Sequence, residues 1–309
     1  MEPRSIKVGL PRAFLYHRYK DMWKAFFDAL GVETVVSAPT VRADLDNGSA
    51  VAIDETCVSE KIWFGHVQQL IGKCDHILVP RISSVGKERI FCTRFEALPD
   101  ITRAVFYASG QSIVDYNIDV QKKSSEEDAF IDLGVKLGFA PREAKRAYKD
   151  ALRADAKIWK QRVAAEEKKL TGPGMKVLIC AHSYVLEDSY IGKPVLDFLR
   201  ENDVKAIRAD ICDRDAARRK CAALSPTCHW ELNCEIMGSA ALRADKVDGV
   251  ILMSAFPCGP DSMVNEMMMR KIKGVPMLNI VLDGQNGTAG LETRLESFID
   301  IIRFKEGLL

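Results

Sequence analysis

The sequence predicts an α/β protein made of two units with parallel sheets, joined by a long helical segment. Two observations favour this fold class. Short apolar runs alternate with helical segments in both halves of the chain, which is typical of parallel strands connected by helices. A Thr-Gly-Pro-Gly break at 171–174 interrupts the chain, and the alternation restarts after it. We therefore predict a first α/β lobe at 1–110, a helical connecting segment at 111–172 and a second α/β lobe at 173–309.

In the first lobe, strands are predicted from short apolar runs and helices from apolar positions that repeat every three to four residues. Pro11 fits the first turn of a helix, and Gly31 provides its C-terminal stop. Residues 81–99 have no clear periodicity and are predicted to form an irregular loop. The predicted strands are 5–10, 32–37, 50–53 and 76–80, with a weak strand signal at 111–120, and the predicted helices are 11–30, 60–72, 126–138 and 141–170.

The second lobe repeats the alternation of strands and helices. Its clearest strand is the apolar run at 248–254, which reads as buried and leads into a Phe-Pro-Cys-Gly-Pro loop. The other predicted strands are 175–181, 204–208 and 275–282, and the predicted helical segments are 192–202, 213–246, 262–272 and 291–304.

Composition excludes several classes of function. The chain has 44 basic and 43 acidic side chains among 309 residues, so its formal net charge of +1 gives no basic footprint for nucleic acid or for a membrane surface. No apolar run approaches the length of a membrane span, and residues 1–7 lack the apolar stretch of a signal peptide. We therefore expect a cytoplasmic protein, whose nine reduced cysteines suit metal binding or catalysis better than disulfides.

Three cysteines stand at predicted strand exits or in the loop beyond one. Cys57 follows the strand at 50–53, Cys92 lies in the irregular loop, and Cys258 follows the strand at 248–254. Ligands bind at the carboxyl ends of strands in open α/β sheets, so these thiols could meet in one cleft. Three thiolates suit a [4Fe–4S] cluster or a zinc ion, whereas unpaired cysteines are also common in protein cores. Spacing alone leaves these alternatives open, because the chain has no C-x₂-C run.

Short motifs along the whole chain carry a resemblance to a known family. The first is Lys-Val-Gly-Leu-Pro-Arg-Ala-Phe-Leu-Tyr at 7–16. Two others contain cysteine, namely Asp-Glu-Thr-Cys at 54–57 and Phe-Pro-Cys-Gly-Pro-Asp at 256–261. With these motifs the chain resembles the 2-hydroxyacyl-CoA dehydratase and benzoyl-CoA reductase-like superfamily, in its small activase-related branch. Further matching segments are 65–67, 79–81, 92–95, 98–100 and 289–296.

The resemblance implies two Rossmann-like lobes with a [4Fe–4S] cluster in the cleft between them, held by Cys57, Cys92 and Cys258. It implies an ATP-hydrolysing activase as the partner that reduces the cluster. This chain has no G-x₄-G-K-[ST] phosphate loop, so we expect the partner, and not this chain, to use ATP. It also implies a homo- or hetero-oligomer with a homologous cluster-bearing subunit. An acyl-CoA or another small molecule is the implied substrate, with no role for nucleic acid or a membrane.

Three functions fit this reading. The first is a low-potential reductase or dehydratase component that carries a [4Fe–4S] cluster and is reduced by the activase. The second is a non-catalytic electron-transfer or regulatory iron–sulfur subunit. The third is a zinc-stabilised protein that binds a small molecule between two lobes, which metal analysis separates from the other two.

Candidate acid–base residues lie near the ends of predicted elements. His182 and Tyr184 follow the strand at 175–181, and His229 begins a predicted helix with an imidazole, a side chain that often donates or accepts protons in catalysis. After Asp283 the chain has Gly-Gln-Asn at 284–286, where the family resemblance implies an acidic residue and a histidine. This departure argues against an acid–base role for the loop. The roles that remain for it are polar contacts or the binding of an anion at the N-terminus of the following helix.

Four further cysteines stand close together in sequence. They could hold a second cluster, but we favour isolated thiols, because unpaired cysteine commonly packs as a small apolar residue. The four are Cys212, Cys221, Cys228 and Cys234.

Overall fold

The structure, a computed structural model, describes residues 6–284 and 288–305. It confirms the predicted fold class, a mixed α/β architecture with two parallel sheets flanked by helices, consistent with two Rossmann-like lobes. The chain divides into two compact units, residues 1–160 and 161–309. This division falls inside one long helix, Pro141–Thr171. The three-part division at 110 and 172 stays a prediction.

The first unit contains seven described strands and five helices before the long one. Two short 3₁₀ turns, Tyr107–Ser109 and Val120–Lys122, complete it. The strands are β1 (Lys7–Leu10), β2 (Glu33–Val36), β3 (His76–Leu78), β4 (Arg81–Gly86), β5 (Arg89–Ile90), β6 (Ser112–Val114) and β7 (Asn117–Asp119). The helices are α1 (Tyr16–Ala29), α2 (Arg42–Val51), α3 (Val58–Leu70), α4 (Thr93–Val105), α5 (Glu126–Lys136) and the long α6 (Pro141–Thr171).

A four-stranded parallel sheet forms the centre of the first unit. Its strand order is β2-β1-β3-β6, with Val8 of β1 opposite His76 of β3. The two central strands are buried, as Val8 and Ile77 show with no exposed surface. A smaller sheet with the order β5-β4-β7 lies in the same unit.

Two predictions for the first unit are wrong. Residues 50–53 do not form a strand, because α2 extends to Val51 and Cys57 therefore follows a helix. Four apolar residues are too few to distinguish a strand from the end of a helix. Residues 81–99 are also regular, forming β4, β5 and the start of α4. Pro99 lies inside α4. Proline is disfavoured in the interior of a helix, so its presence argued against predicting a helix there.

The second unit is built around another four-stranded parallel sheet, with the order β11-β10-β8-β9. A 3₁₀ turn at Ala244–Lys246 precedes β10. The strands are β8 (Lys176–Cys180), β9 (Lys205–Arg208), β10 (Gly249–Ala255) and β11 (Met277–Leu282). The helices are α7 (Ser183–Leu186), α8 (Lys193–Glu201), α9 (Arg214–Leu224), α10 (Glu231–Arg243), α11 (Gly259–Lys271) and α12 (Thr288–Lys305).

The strand predicted from the apolar run at 248–254 is confirmed as β10. All seven of its residues are buried, and it pairs in parallel with β8 on one side and β11 on the other. A strand covered on both faces has no solvent-facing side on which polar residues could alternate with apolar ones. This explains the continuous apolar sequence of β10.

The two units share one order of elements. When the strands of each main sheet are numbered along the chain, both sheets read second-first-third-fourth. In both units a pair of helices connects the second strand to the third, α2 with α3 and α9 with α10. Each pair packs through a glycine, since a Cβ on Gly48 would lie 1.7 Å from the Lys61 carbonyl oxygen and one on Gly238 would lie 1.8 Å from that of Ala217. Helix backbones approach this closely only where a side chain is absent.

Across the described residues, no helix is both long enough and apolar enough to cross a membrane.

Candidate functional site

The three cysteines predicted as cluster ligands occupy the same local position. Cys57, Cys92 and Cys258 are the N-cap residues of α3, α4 and α11. Each is partly buried. The N-terminus of a helix carries a partial positive charge, which favours a thiolate over a thiol. Cys92 and Cys258 also have equivalent places in the two units, because each begins the helix that leads from the third strand of its sheet to the fourth.

In the first unit, aromatic packing holds α3 and α4 next to each other. Trp63 of α3 stacks on Phe14 at a centroid distance of 5.9 Å, and Phe95 of α4 meets the same ring edge-on at 5.0 Å. The Trp63 indole Nε1 donates a hydrogen bond of 3.2 Å to the Thr102 hydroxyl of α4. These contacts fix the helix starts that carry Cys57 and Cys92.

The thiol of Cys92 is close enough to Cys57 to affect its ionisation. Burial, together with smaller contributions from the charges of Glu60 and Cys92, raises the pKa of Cys57 to about 11. A hydrogen bond from the Glu60 backbone and the charge of Arg94 act in the opposite direction. Cys57 is therefore a protonated thiol at neutral pH, and only a bound cation would make it a thiolate there.

A buried carboxyl group lies beside these thiols. The Glu60 side chain has no exposed surface, and burial raises its pKa although Arg94 lowers it. One guanidinium nitrogen of Arg94 lies 3.1 Å from Glu60 Oε2. Within the described ranges, neither Glu60 carboxyl oxygen has a partner in hydrogen-bond geometry. Glu60 thus has Arg94 as its ion-pair partner but lacks the hydrogen bonds that buried polar atoms usually make.

In the second unit, Cys258 belongs to a buried polar cluster. Asp261, three residues after Cys258, accepts a hydrogen bond of 2.8 Å from Asn233 Nδ2 at Oδ1 and lies 2.7 Å from His182 Nε2 through the same oxygen. Burial alone would raise the pKa of Asp261. The charge of His182 and hydrogen bonds from His182, Asn233 and Cys258 more than offset it, so this pKa is lowered. The first turn of α11 is thereby tied to the end of β8 and to α10.

His182 and Tyr184 lie next to each other just after β8, and their role as acid–base residues stays a prediction. His182 is the N-cap of α7 directly after β8, and its ring stacks on Tyr184 with centroids 4.9 Å apart. His182 is almost wholly buried. The adjacent cavity has a volume of about 10 Å³, the space of a single water molecule, and His182, Asn233 and Asp261 line it. His229 is not among the residues that line this cavity and lies in the loop between α9 and α10.

The expectation of isolated thiols is wrong for three of the four clustered cysteines. The sulfur atoms of Cys221, Cys228 and Cys234 all lie within 4.8 Å of one another. Cys212 does not belong to this group. The sequence reading missed the group because no short Cys motif marks it. The turn between α9 and α10 brings the thiols together, and recognising a helix–turn–helix at 213–246 would have indicated it.

The predicted role of the loop after Asp283 depended on Gln285 and Asn286, which lie outside the described residues.

A comparison with protein families finds a match. The model of a family described as the CoA enzyme activase uncharacterised domain matches residues 7–212, which is two thirds of the chain. The matched segment includes Cys57, Cys92 and His182 and ends before Cys221 and Cys258. No curated protein matches the chain.

Proposed function

The chain belongs to the family of the CoA enzyme activase uncharacterised domain, and from that premise we propose that it is a [4Fe–4S] protein of the 2-hydroxyacyl-CoA dehydratase type. In this role it is a low-potential reductase or dehydratase component that an ATP-hydrolysing activase reduces. Its other partners are a homologous cluster-bearing subunit, or a second copy of the chain, and an acyl-CoA substrate.

One observation carries the proposal. Cys57 and Cys92 begin two adjacent helices, next to the wholly buried Glu60 carboxyl group whose oxygens lack hydrogen-bond partners within the described ranges. Sulfur donors are the ligands of iron–sulfur clusters, and backbone N–H groups at helix starts stabilise their negative charge. The donor set therefore fits this cofactor. Cys258 is proposed as the third ligand from the family resemblance and from its place equivalent to that of Cys92.

When bound, such a cluster supplies one low-potential electron and an iron atom with an exchangeable ligand position. The residues of this chain would tune that chemistry. Glu60, with a raised pKa, keeps its proton more readily and can donate a hydrogen bond to a cysteine sulfur. Arg94 offsets negative charge at the same helix starts.

His182, Tyr184 and His229 are the proposed acid–base residues. The contact with Asp261 gives His182 the most support, because a carboxylate on one side of an imidazole orients the ring. Tyr184 stacks on that ring and limits its rotation. His229 lies next to Cys228 and has no described contact with this pair.

A second candidate function is an electron-transfer or regulatory subunit that binds no substrate. The observation in its favour is the size of the cavity beside His182, which at about 10 Å³ has room for a water molecule and not for an acyl thioester.

Anaerobic purification followed by iron analysis tests the first proposal. We expect about four iron atoms per chain and a reducible electron paramagnetic resonance signal. Cys57→Ala, Cys92→Ala and Cys258→Ala should each lose most of this iron. Cys74→Ala removes a half-buried thiol outside the ligand set and should keep it. Absence of iron from the wild-type chain, or iron that survives all three substitutions, would overturn the proposal.

The same samples separate the two candidate functions. A resonance signal that shifts on addition of acyl-CoA thioesters indicates a substrate at the cluster. A resonance signal that does not change when the thioester is added in large excess supports the second function, an electron-transfer or regulatory subunit.

A further inference from the structure

Three thiols meet where α9 turns into α10. Cys221 lies in the last turn of α9, Cys228 in the connecting loop and Cys234 in the first turn of α10. Cys221 and Cys228 are 1% and 8% exposed, and Cys234 is partly exposed. The first two belong to the apolar core of the second unit, against which Cys234 also packs.

The loop that carries Cys228 is held at both ends. The Ser225 N–H donates a hydrogen bond of 2.7 Å to the Cys221 carbonyl oxygen, and the Cys228 N–H donates one of 3.2 Å to the Ser225 carbonyl oxygen. The Ser225 hydroxyl lies 3.5 Å from the Met267 sulfur of α11. The thiols therefore sit on a backbone that is already fixed, and little ordering is needed for all three to hold one ligand.

The distances between the three sulfur atoms fit those of ligands that share one metal ion. A zinc ion binds thiolate sulfur at about 2.3 Å in a tetrahedron, which places two such sulfurs about 3.8 Å apart. The sulfurs of Cys228 and Cys234 are 3.4 Å apart, and all three lie within 4.8 Å of one another. In an iron–sulfur cubane each thiolate binds a different iron atom, so its ligands stand further apart than those of one shared ion.

We propose that Cys221, Cys228 and Cys234 bind one zinc ion as three thiolates. Binding displaces the thiol protons into solvent and leaves a complex with a net charge of −1. The same thiolates around copper(I) would leave a net charge of −2, which is more costly in an apolar core. In the part of the chain that the structure describes, no histidine, aspartate, glutamate or further cysteine joins the group. Water would therefore complete the tetrahedron, and Cys234 is the partly exposed ligand of the three.

The zinc ion would also fix a residue of the polar cluster around Cys258. Cys234 directly follows Asn233, whose amide donates the 2.8 Å hydrogen bond to Asp261. An ion that clamps Cys234 to Cys221 of the preceding helix holds the first turn of α10, and with it Asn233. The proposed site is thus a structural support for the start of α11, independent of whether that helix binds iron.

Metal analysis of the full-length chain tests this proposal. The protein is purified under reductant, incubated with zinc chloride, freed of unbound metal and analysed by atomic emission. We expect about one zinc ion per chain. Cys228→Ser and Cys234→Ser should each weaken zinc binding by about tenfold or more. Cys212→Ser is the matched control, since Cys212 is a buried cysteine of the same segment outside the group, and it should bind zinc as the wild type does.

Cobalt(II) substitution provides a second readout, because thiolate-to-cobalt charge-transfer absorption reports sulfur ligation directly. The absorption should appear in the wild type and in Cys212→Ser and be lost in Cys228→Ser. Circular dichroism of the metal-free variants must match the metal-free wild type, so that misfolding is not mistaken for ligand loss. Zinc content that survives Cys228→Ser, or a wild type that takes up no zinc, would overturn the proposal. Cys57→Ala should keep the zinc ion while losing iron, which separates this site from the cluster.

Discussion

His182 Nε2 lies 2.7 Å from Asp261 Oδ1, so a histidine at the end of β8 is joined to the first turn of α11. Both side chains are about 5% exposed. The same oxygen accepts the amide hydrogen bond of Asn233 from α10. One carboxylate thus connects three elements next to the loop that carries Cys258.

Removing the charge of Asp261 should destabilise the protein. Asp261→Asn leaves His182 without its buried partner, and breaking a buried pair on one side costs about 3 kcal/mol. The free energy of unfolding from urea denaturation measures the loss. Asp46→Asn is the control, because Asp46 pairs with Arg42 at 2.8 Å on the surface of α2 and should cost less than about 1 kcal/mol. Equal losses in the two variants would contradict a supporting role for Asp261.

Adding a methyl group to Gly48 should disrupt the packing of α2 on α3. A Cβ there would lie 1.7 Å from the Lys61 carbonyl oxygen, which is part of a helix backbone and cannot move aside alone. We expect Gly48→Ala to lower the free energy of unfolding by about 2 kcal/mol or more, as overpacking does. Thermal denaturation followed by circular dichroism measures this.

Gly290→Ala is the matched control for Gly48→Ala. A Cβ on Gly290 meets no atom within 4 Å, and alanine favours a helix over glycine by up to about 1 kcal/mol. The control should leave stability unchanged or raise it slightly. A Gly48→Ala protein as stable as the control would contradict this prediction, because it would mean that α2 and α3 can move apart without cost.

His66 should make stability fall in mildly acidic solution. It is wholly buried in α3, with Ser37 Oγ 2.8 Å from Nδ1 and Thr40 Oγ1 2.8 Å from Nε2. Burial lowers its pKa to about 4, with Asp44 opposing and the charges of His17 and Arg12 adding to the effect. The unfolded chain therefore binds a proton that the folded chain excludes between about pH 6.5 and pH 4. His66 stabilises the fold fully above pH 6.5, and on the order of 3 kcal/mol is lost as pH falls to 4.

The pH dependence of urea denaturation tests the role of His66. His66→Gln keeps a polar side chain without the titration and should lack this part of the slope. His76→Gln removes a partly exposed histidine that contacts Ser112 at 2.8 Å and should retain the wild-type slope. A slope that is identical in all three proteins would contradict the assignment to His66.

The regular part of the fold was predictable from sequence because burial leaves a clear pattern. β10 is covered on both faces, and the continuous apolar run at 248–254 follows directly from that. The strand expected at 50–53 failed for the opposite reason. Four residues at the end of α2 are too few to show whether apolar positions repeat every two residues, as in a strand, or every three to four, as in a helix. The close approach of Gly48 to α3 is a tertiary contact, which the local sequence does not show.

The candidate site was predictable only where a motif or a strand end marked it. Cys258 and His182 follow buried strands, and their positions could be read from those strands. The group of Cys221, Cys228 and Cys234 depends on the turn between two helices, which sets distances that sequence separation does not reveal. Glu60 resembled any acidic residue near a helix start, and only the structure shows it to be wholly buried.

The two units arrange the strands of their main sheets in the same order, second-first-third-fourth. Gly65 lies eight residues after the N-cap Cys57, and Gly238 lies eight residues after the N-cap Trp230, so these helix starts correspond. One unit thus carries a thiol where the other carries an indole. Sulfur chemistry at this helix start is therefore available at Cys57 and not at Trp230.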